Sequence, residues 1–298
     1  MMIDKLAIIG VGLIGGSLAR ALKGKEACKT VAGYGRKIEN LQAAVELGVI
    51  DEYSDKLPDV VSNANIIVIA TPLSTYPDLL QTIADNTEPG TLITDVGSVK
   101  GSVVSAARSV LGERVADFIP GHPIAGTEES GVRASFAELF HDHLVILTPL
   151  EENRQEDIEL VSKMWQQCGA SVVELQADYH DQVLAATSHL PHVLAYALVD
   201  TLAGMSEQED IFRFSAGGFR DFTRIASSNP GMWADICLAN ELNLLDMIEE
   251  YKIHLDEIAE LLNTGDKQGL QQLFNKLKLT RDKYVVKTAN IPRDNNPE

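Results

Sequence analysis

Apolar and polar positions change rhythm once along this chain. Up to about Gln176, short apolar runs recur at Leu6–Ile9, Thr30–Gly33, Ile66–Ala70, Thr91–Thr94, Leu144–Leu147 and Val172–Leu175. Between them lie stretches with helical spacing, such as Ile38–Leu47, Tyr76–Asp85 and Ile158–Cys168. Alternation of this kind predicts a mostly parallel sheet with helical crossovers. From Ala177 onward the strand signal is gone. Val183 to Ala203 predicts one long apolar helix, with a kink at Pro191. Leu238, Leu242, Leu245, Ile248, Leu255, Ile258 and Leu262 keep helical spacing, and Leu270, Leu273 and Leu277 continue it after a break near Thr264-Gly265. The reading is an α/β domain over residues 1–176, an all-α domain over 177–290 and a polar tail over 291–298. A small helical domain with this much apolar surface is expected to bury it against a second copy of the chain, as a homodimer.

The opening of the chain carries the sharpest local signal. Leu6 to Ile9 is an apolar strand, Gly10, Gly12 and Gly15 follow at G-x-G-x-x-G spacing, and Ser17-Leu-Ala-Arg-Ala-Leu22 has the rhythm of a helix packed on a sheet. Strand, glycine turn and helix in that order form a dinucleotide-binding fingerprint. Gly10 allows the tight turn, Gly12 lets backbone approach a pyrophosphate, and Gly15 lets helix and strand pack. The first helical residues, Leu13 and Ile14, offer free N–H groups to the phosphates. An acid that reads a free ribose is expected about 20 residues further on. Here Val31-Ala-Gly-Tyr-Gly-Arg-Lys37 places Gly35 in that slot, followed by Arg36. A missing carboxylate and an adjacent guanidinium favour a 2′-phosphate, so NADP is expected over NAD. Thr71 and Pro72 end a parallel strand, where they wall the cofactor crevice or simply turn the chain.

Bulk properties narrow the partners. The 298 residues suit two domains, and 45% hydrophobic residues allow substantial cores. With 43 acidic against 25 basic residues the net charge is −18, which disfavours nucleic acid and anionic membrane. An acidic surface fits a cytoplasmic protein. Cys28, Cys168 and Cys237 are too scattered for a metal knuckle or a disulfide framework. No apolar run is long enough to span a membrane. A strand beginning by Lys5 leaves no room for a signal or transit peptide.

Three polar clusters carry candidate chemistry. In Thr94-Asp-Val-Gly-Ser-Val-Lys-Gly101, Ser98 is either the N-cap of a following helix or a hydroxyl facing substrate. In Pro120-Gly-His-Pro-Ile-Ala-Gly-Thr-Glu-Glu-Ser-Gly131, His122 sits in a Gly/Pro-rich loop and is a general-base candidate, with Thr127 and Glu128 close behind. In Thr187-Ser-His-Leu-Pro-His192 and Gly217-Gly-Phe-Arg-Asp-Phe-Thr-Arg224, His189 and His192 share a helical face. Arg220 and Arg224, four apart, both face the cleft or a salt-bridged surface. Arginine suits a carboxylate-bearing substrate. No acid or Cys completes a metal set at the histidine pair, and His141-Asp-His143 reads as a solvated turn.

Taken together, Gly-Val-Gly-Leu-Ile-Gly-Gly-Ser17, Asp95-Val-Gly-Ser-Val-Lys100, Gly121-His-Pro-Ile-Ala-Gly-Thr-Glu128, Ser188-His-Leu-Pro-His192, Gly217-Gly-Phe-Arg-Asp-Phe-Thr-Arg224 and Asn229-Pro-Gly-Met-Trp233 resemble the prephenate/arogenate dehydrogenase family of tyrosine biosynthesis. The resemblance covers nearly the whole chain, in order. It implies a Rossmann-type domain followed by a helical dimerisation domain, and oxidative decarboxylation of prephenate or arogenate with hydride transfer to NAD(P). It implies that His122 accepts the proton of the ring hydroxyl, that Ser98 holds that hydroxyl, and that Arg224 binds a carboxylate. It further assigns His189 to the substrate pocket, Glu128 to gating or positioning, and Asp221, with Gly217 and Thr127, to the cleft. Neither a fused chorismate mutase nor an appended ACT-type regulatory domain is expected. Two other classes share parts of the pattern: a β-hydroxyacid dehydrogenase, with Lys100 as its acid/base group, and a non-catalytic NADP(H) sensor.

Overall fold

The computed structural model describes residues 2–205 and 212–289. The tail expected at 291–298 lies outside these residues. The first part of the chain alternates β1 (Ile3–Ile9), α1 (Leu13–Gly24), β2 (Cys28–Tyr34), α2 (Ile38–Glu46), β3 (Glu52–Ser54), α3 (Leu57–Val61), β4 (Ile66–Ile69), α4 (Tyr76–Asn86), β5 (Leu92–Asp95), α5 (Gly101–Leu111) and β6 (Phe118–Ile119). The six strands form one sheet in the order β3-β2-β1-β4-β5-β6, every pair parallel. This is a Rossmann-type sheet, with its reversal of strand order at β1/β4. β4 is apolar at every position, and β1 is apolar from Leu6 onward, because both faces are covered there. Leu6, Ile8 and Val68 enter one core, while Ala7, Ile9, Ile67 and Ile69 enter the other.

The later strands do not extend this sheet, as the periodicity led us to expect. β7 (Gly121–Ile124), β8 (Leu144–Leu147) and β9 (Ser171–Glu174) form a second sheet in the order β7-β8-β9. β7 runs antiparallel to β8, and β8 parallel to β9 across the helix α6 (Gln155–Gln167). The chain leaves the first sheet at Pro120, which supplies a carbonyl to the Thr148 N–H but has no N–H of its own to continue β6.

Beyond β9 the chain is helical: α7 (Ala177–Leu184), a π-helical turn (Ala185–His189), α8 (Leu190–Ala203), α9 (Gly217–Thr223), α10 (Pro230–Ala239), α11 (Glu241–Asn263) and α12 (Lys267–Ala289). The kink expected at Pro191 takes the form of that π turn. Proline at the second position of α8 cannot donate to the carbonyl four residues back, and the preceding turn widens. The single helix expected through Leu238 and Leu262 is two helices, interrupted at Asn240. The chain divides into two compact units, one up to Leu244 and one from Leu245 onward. In the first unit, Val99, Trp233 and Ile236 form a third small core that fastens α10 beside the carboxyl end of β5. The second unit holds most of α11 and all of α12, joined by a turn in which Gly265 has φ +65°. No described helix is long and apolar enough to cross a membrane.

Candidate active site

The site is built at the carboxyl ends of β1, β4, β5 and β6. Gly10 closes β1 with φ +99°, and a Cβ there would lie 2.4 Å from the Ala70 carbonyl oxygen at the end of β4. At Gly15 a Cβ would lie 2.4 Å from the Gly10 carbonyl oxygen. Both glycines are therefore demanded by the protein itself. Gly12 is different, since a Cβ there meets nothing within 4 Å. Its bareness leaves room for something outside the chain. Among the described residues no side chain caps α1, so the first-turn N–H groups of Leu13, Ile14 and Gly15 remain for an anion. An open cradle of this kind fits a dinucleotide pyrophosphate. Thr71 and Pro72 border it: the Thr71 and Thr75 hydroxyls are 2.9 Å apart, and the Pro72 carbonyl accepts from the Thr75 hydroxyl at 2.7 Å. Arg36 is exposed just past β2 and makes no ion pair among the described residues.

Beneath this edge lies a buried charge network. Asp95, at the end of β5, accepts from Lys100 Nζ (2.6 Å), Tyr76 Oη (2.9 Å), Gly97 N (2.8 Å) and Gly121 N (3.0 Å). Lys100 is 0% exposed and also donates to the Gly121 carbonyl at 2.7 Å. Burial pulls its ammonium below the usual lysine range, and Asp95 beside it restores part of that shift. Burial and Asp95 together push the Tyr76 hydroxyl well above its ordinary range. The network ties β5 to β7. It also argues against Lys100 as an acid/base group, because the ammonium is fully buried and held by Asp95 and the Gly121 carbonyl.

His122 follows in β7, in a strand and not in the loop expected from its Gly and Pro neighbours. Its ring is 8% exposed. Burial, followed by Lys100, His180 and His189, holds its pKa well below the ordinary histidine range, so the ring is neutral at neutral pH. Nδ1 lies 2.9 Å from His180 Nε2. His180 is fully buried in α7, and its Nδ1 lies 2.8 Å from Asp181 Oδ1. Asp181 in turn accepts from the Lys100 N–H (2.8 Å) and the Gly101 N–H (2.7 Å), so that it caps α5 from another element. Burial would raise the Asp181 carboxyl, but the His180 hydrogen bond and the two backbone donors bring it below its usual range. Asn240 joins the same cluster by donating to the Asp181 carbonyl (2.8 Å) and lying 3.1 Å from His189 Nδ1. His189 is 1% exposed, its Nε2 has no partner among the described residues, and its ring meets Trp233 edge-on. Trp233 also stacks on His192, with ring centroids 3.5 Å apart.

The remaining expected residues occupy the rim. Ser98 is half-buried between β5 and α5. The helix begins at Gly101 with Lys100 at the N-cap position and its cap supplied by Asp181, so Ser98 does not cap it. Thr127 and Glu128 are exposed, and the Thr127 hydroxyl accepts from the Glu129 N–H at 3.2 Å. Glu128 forms an ion pair with Arg224, which joins two residues that the sequence names separately. Arg220 does not accompany Arg224. α9 ends at Thr223 and tightens into a 3₁₀ turn, and Arg220 donates back to the Ser215 carbonyl at 3.1 Å. Gly217 and Asp221 are exposed on α9. Sequence reasoning missed His180, Asp181 and Asn240. The dipeptide His180-Asp181 reads as an ordinary polar helix start, and only the fold brings its partners to it.

Residues 18–174 match the family of prephenate dehydrogenase nucleotide-binding domains, and residues 176–276 that of prephenate dehydrogenase dimerization domains. The chain is 38% identical over 286 residues to the prephenate dehydrogenase of Bacillus subtilis, covering 94% of this chain and 76% of the relative. It is 36% identical over 280 residues to the cyclohexadienyl dehydrogenase of Zymomonas mobilis, covering 93% and 94% respectively. Among solved structures, prephenate dehydrogenase from A. aeolicus, in complex with hydroxyphenyl propionate and NAD+, superimposes with a TM-score of 0.88 at 36% identity, covering 94% of this chain and 98% of that one. The two family matches together span residues 18–276 and follow both halves of the fold, and the chain belongs to the prephenate dehydrogenase family.

Proposed function

We propose that this chain oxidises and decarboxylates prephenate or arogenate in tyrosine biosynthesis, as a cytoplasmic homodimer. The observation that carries the reading is His122: a buried, neutral imidazole in the strand that directly follows the parallel sheet, in a chain that also carries an open phosphate cradle. The nicotinamide dinucleotide held by Gly10, Gly12, Leu13, Ile14 and Gly15 supplies a hydride acceptor. His122 takes the proton of the ring hydroxyl as its carbon gives up hydride. The new ketone accepts the electron pair that the ring carboxylate releases as CO2, and the ring becomes aromatic. Ser98 holds the hydroxyl. Arg224 receives a substrate carboxylate, and Glu128 positions that guanidinium until substrate arrives. His189 lines the pocket, with Thr127, Gly217 and Asp221 around its mouth.

Gly35 in place of an acid, with Arg36 beside it and in no ion pair among the described residues, supports NADP over NAD. The dinucleotide domain spans 1–176 and the dimerisation domain 177–290. Tyr251, Ile253, Leu255, Leu262, Phe274, Leu277 and Leu279 are exposed on α11 and α12 and support a partner subunit there. The test is formation of reduced cofactor with prephenate and with arogenate, each with NAD and NADP. Turnover with one substrate, at higher efficiency with NADP, is the expected result. Absence of turnover in all four, from folded protein that binds the dinucleotide, overturns the reading. A strong NAD preference overturns the role of Arg36 alone.

A further inference from the structure

We infer that His180 and Asp181 are positioning residues that set the tautomer of His122. This rests on the reading of His122 as the base. The Asp181 carboxylate carries no proton and already accepts two backbone N–H groups, so the short contact at Oδ1 requires His180 Nδ1 to be the donor. With His180 singly protonated, the proton is on Nδ1 and Nε2 is bare. The 2.9 Å contact between the rings therefore requires His122 Nδ1–H to donate to it. His122 Nε2, which makes no hydrogen bond among the described residues, is left unprotonated and ready to accept. Once His122 has taken the substrate proton, its charge sits at the head of a hydrogen-bonded line that ends in a carboxylate. The logic is that of an aspartate holding a catalytic histidine in its working tautomer, with a second histidine interposed.

The first measurement is nitrogen NMR of the full-length protein labelled with ¹⁵N-histidine, with His122 assigned by loss of its signals in His122→Asn. Protonated Nδ1 and bare Nε2 on His122 are expected. A bare Nδ1 on His122, or a doubly protonated His180 at neutral pH, overturns the inference. The second measurement is kinetic. His180→Phe keeps ring bulk but offers no acceptor, and kcat is expected to fall about 100-fold with KM changed less than about twofold. His180→Gln presents an oxygen to His122 Nδ1–H and is expected to recover about tenfold of that loss. His122→Asn is expected to lose roughly 10²–10⁴-fold, and adding His180→Phe to it should slow it no further. A slow His122→Asn beside an unimpaired His180→Phe sinks the positioning role alone. A fully active His122→Asn sinks the base itself. If His180→Phe no longer binds the dinucleotide, the NMR result on the unmutated protein decides.

Discussion

His189 has one ring nitrogen on Asn240 and the other without a partner among the described residues, and burial lowers its pKa from 6.5 to about 4. Asp181 opposes that shift, while His180 and His192 add to it. The folded-state value lies below the unfolded one, so the neutral ring is favoured by folding. Its contribution is complete above about pH 6.5 and is lost as pH falls through about 4, amounting to on the order of 3 kcal/mol. The melting temperature should therefore drop across this window, and less steeply in His189→Gln. Parallel curves for the two proteins would exclude His189 as the titrating group. Arg224 behaves in the opposite way. At 63% side-chain exposure its pair with Glu128 adds at most about 1 kcal/mol of stability. Arg224→Ala should leave the melting point within a few degrees and raise KM for the substrate, with kcat little altered; an unchanged KM refutes the assignment. Both side chains were recognisable in the sequence, because unusual residue types stood out at strand and helix ends. His180 and Asp181 were not, since their partners His122 and Lys100 lie 58 and 81 residues away, and no local spacing encodes such distances.

At the scale of elements, the glycine turn was legible because all its constraints are local: strand, turn and helix follow within one short segment. β7 was not. Gly121 and Pro123 beside His122 read as breakers, yet β7 is an edge strand that, among the described residues, pairs only with β8, where a proline lacking its N–H is tolerated. The same strand is held from below by Asp95 and Lys100. Lys100→Met would leave the Asp95 carboxylate buried without its cation, though still facing Tyr76, Gly97 and Gly121. Loss of one member of a buried ion pair costs about 3–5 kcal/mol, and denaturant unfolding should show a loss of that size. A loss under about 1 kcal/mol would mean that the pair does not anchor β7. Because Lys100 also presents its backbone N–H to Asp181, which the substitution leaves in place, the α5 cap should survive.

At the scale of the whole molecule, the apolar stripe of the last two helices exceeds what a two-helix hairpin can cover. Leu262 and Phe274 are more than half exposed in the single chain, at 63% and 52%. Light scattering after size exclusion should give about twice 32.4 kDa, and a monomeric mass would leave this surface unexplained. The stripe was readable in the sequence because helical period and apolar excess are both one-dimensional properties. The separation into two sheets was not, because it turns on where a single proline ends one ladder. The carboxylate that caps α5 has a consequence for modular exchange. The two matched families meet between residues 174 and 176, so the cut that separates them parts His122 from His180 and α5 from its cap. A chimera that grafts a foreign second half onto this dinucleotide domain must bring its own histidine and aspartate in register, or it inherits a base in the wrong tautomer together with a frayed α5. Recombination across this junction is constrained by two adjacent side chains more than by the surface area of the seam.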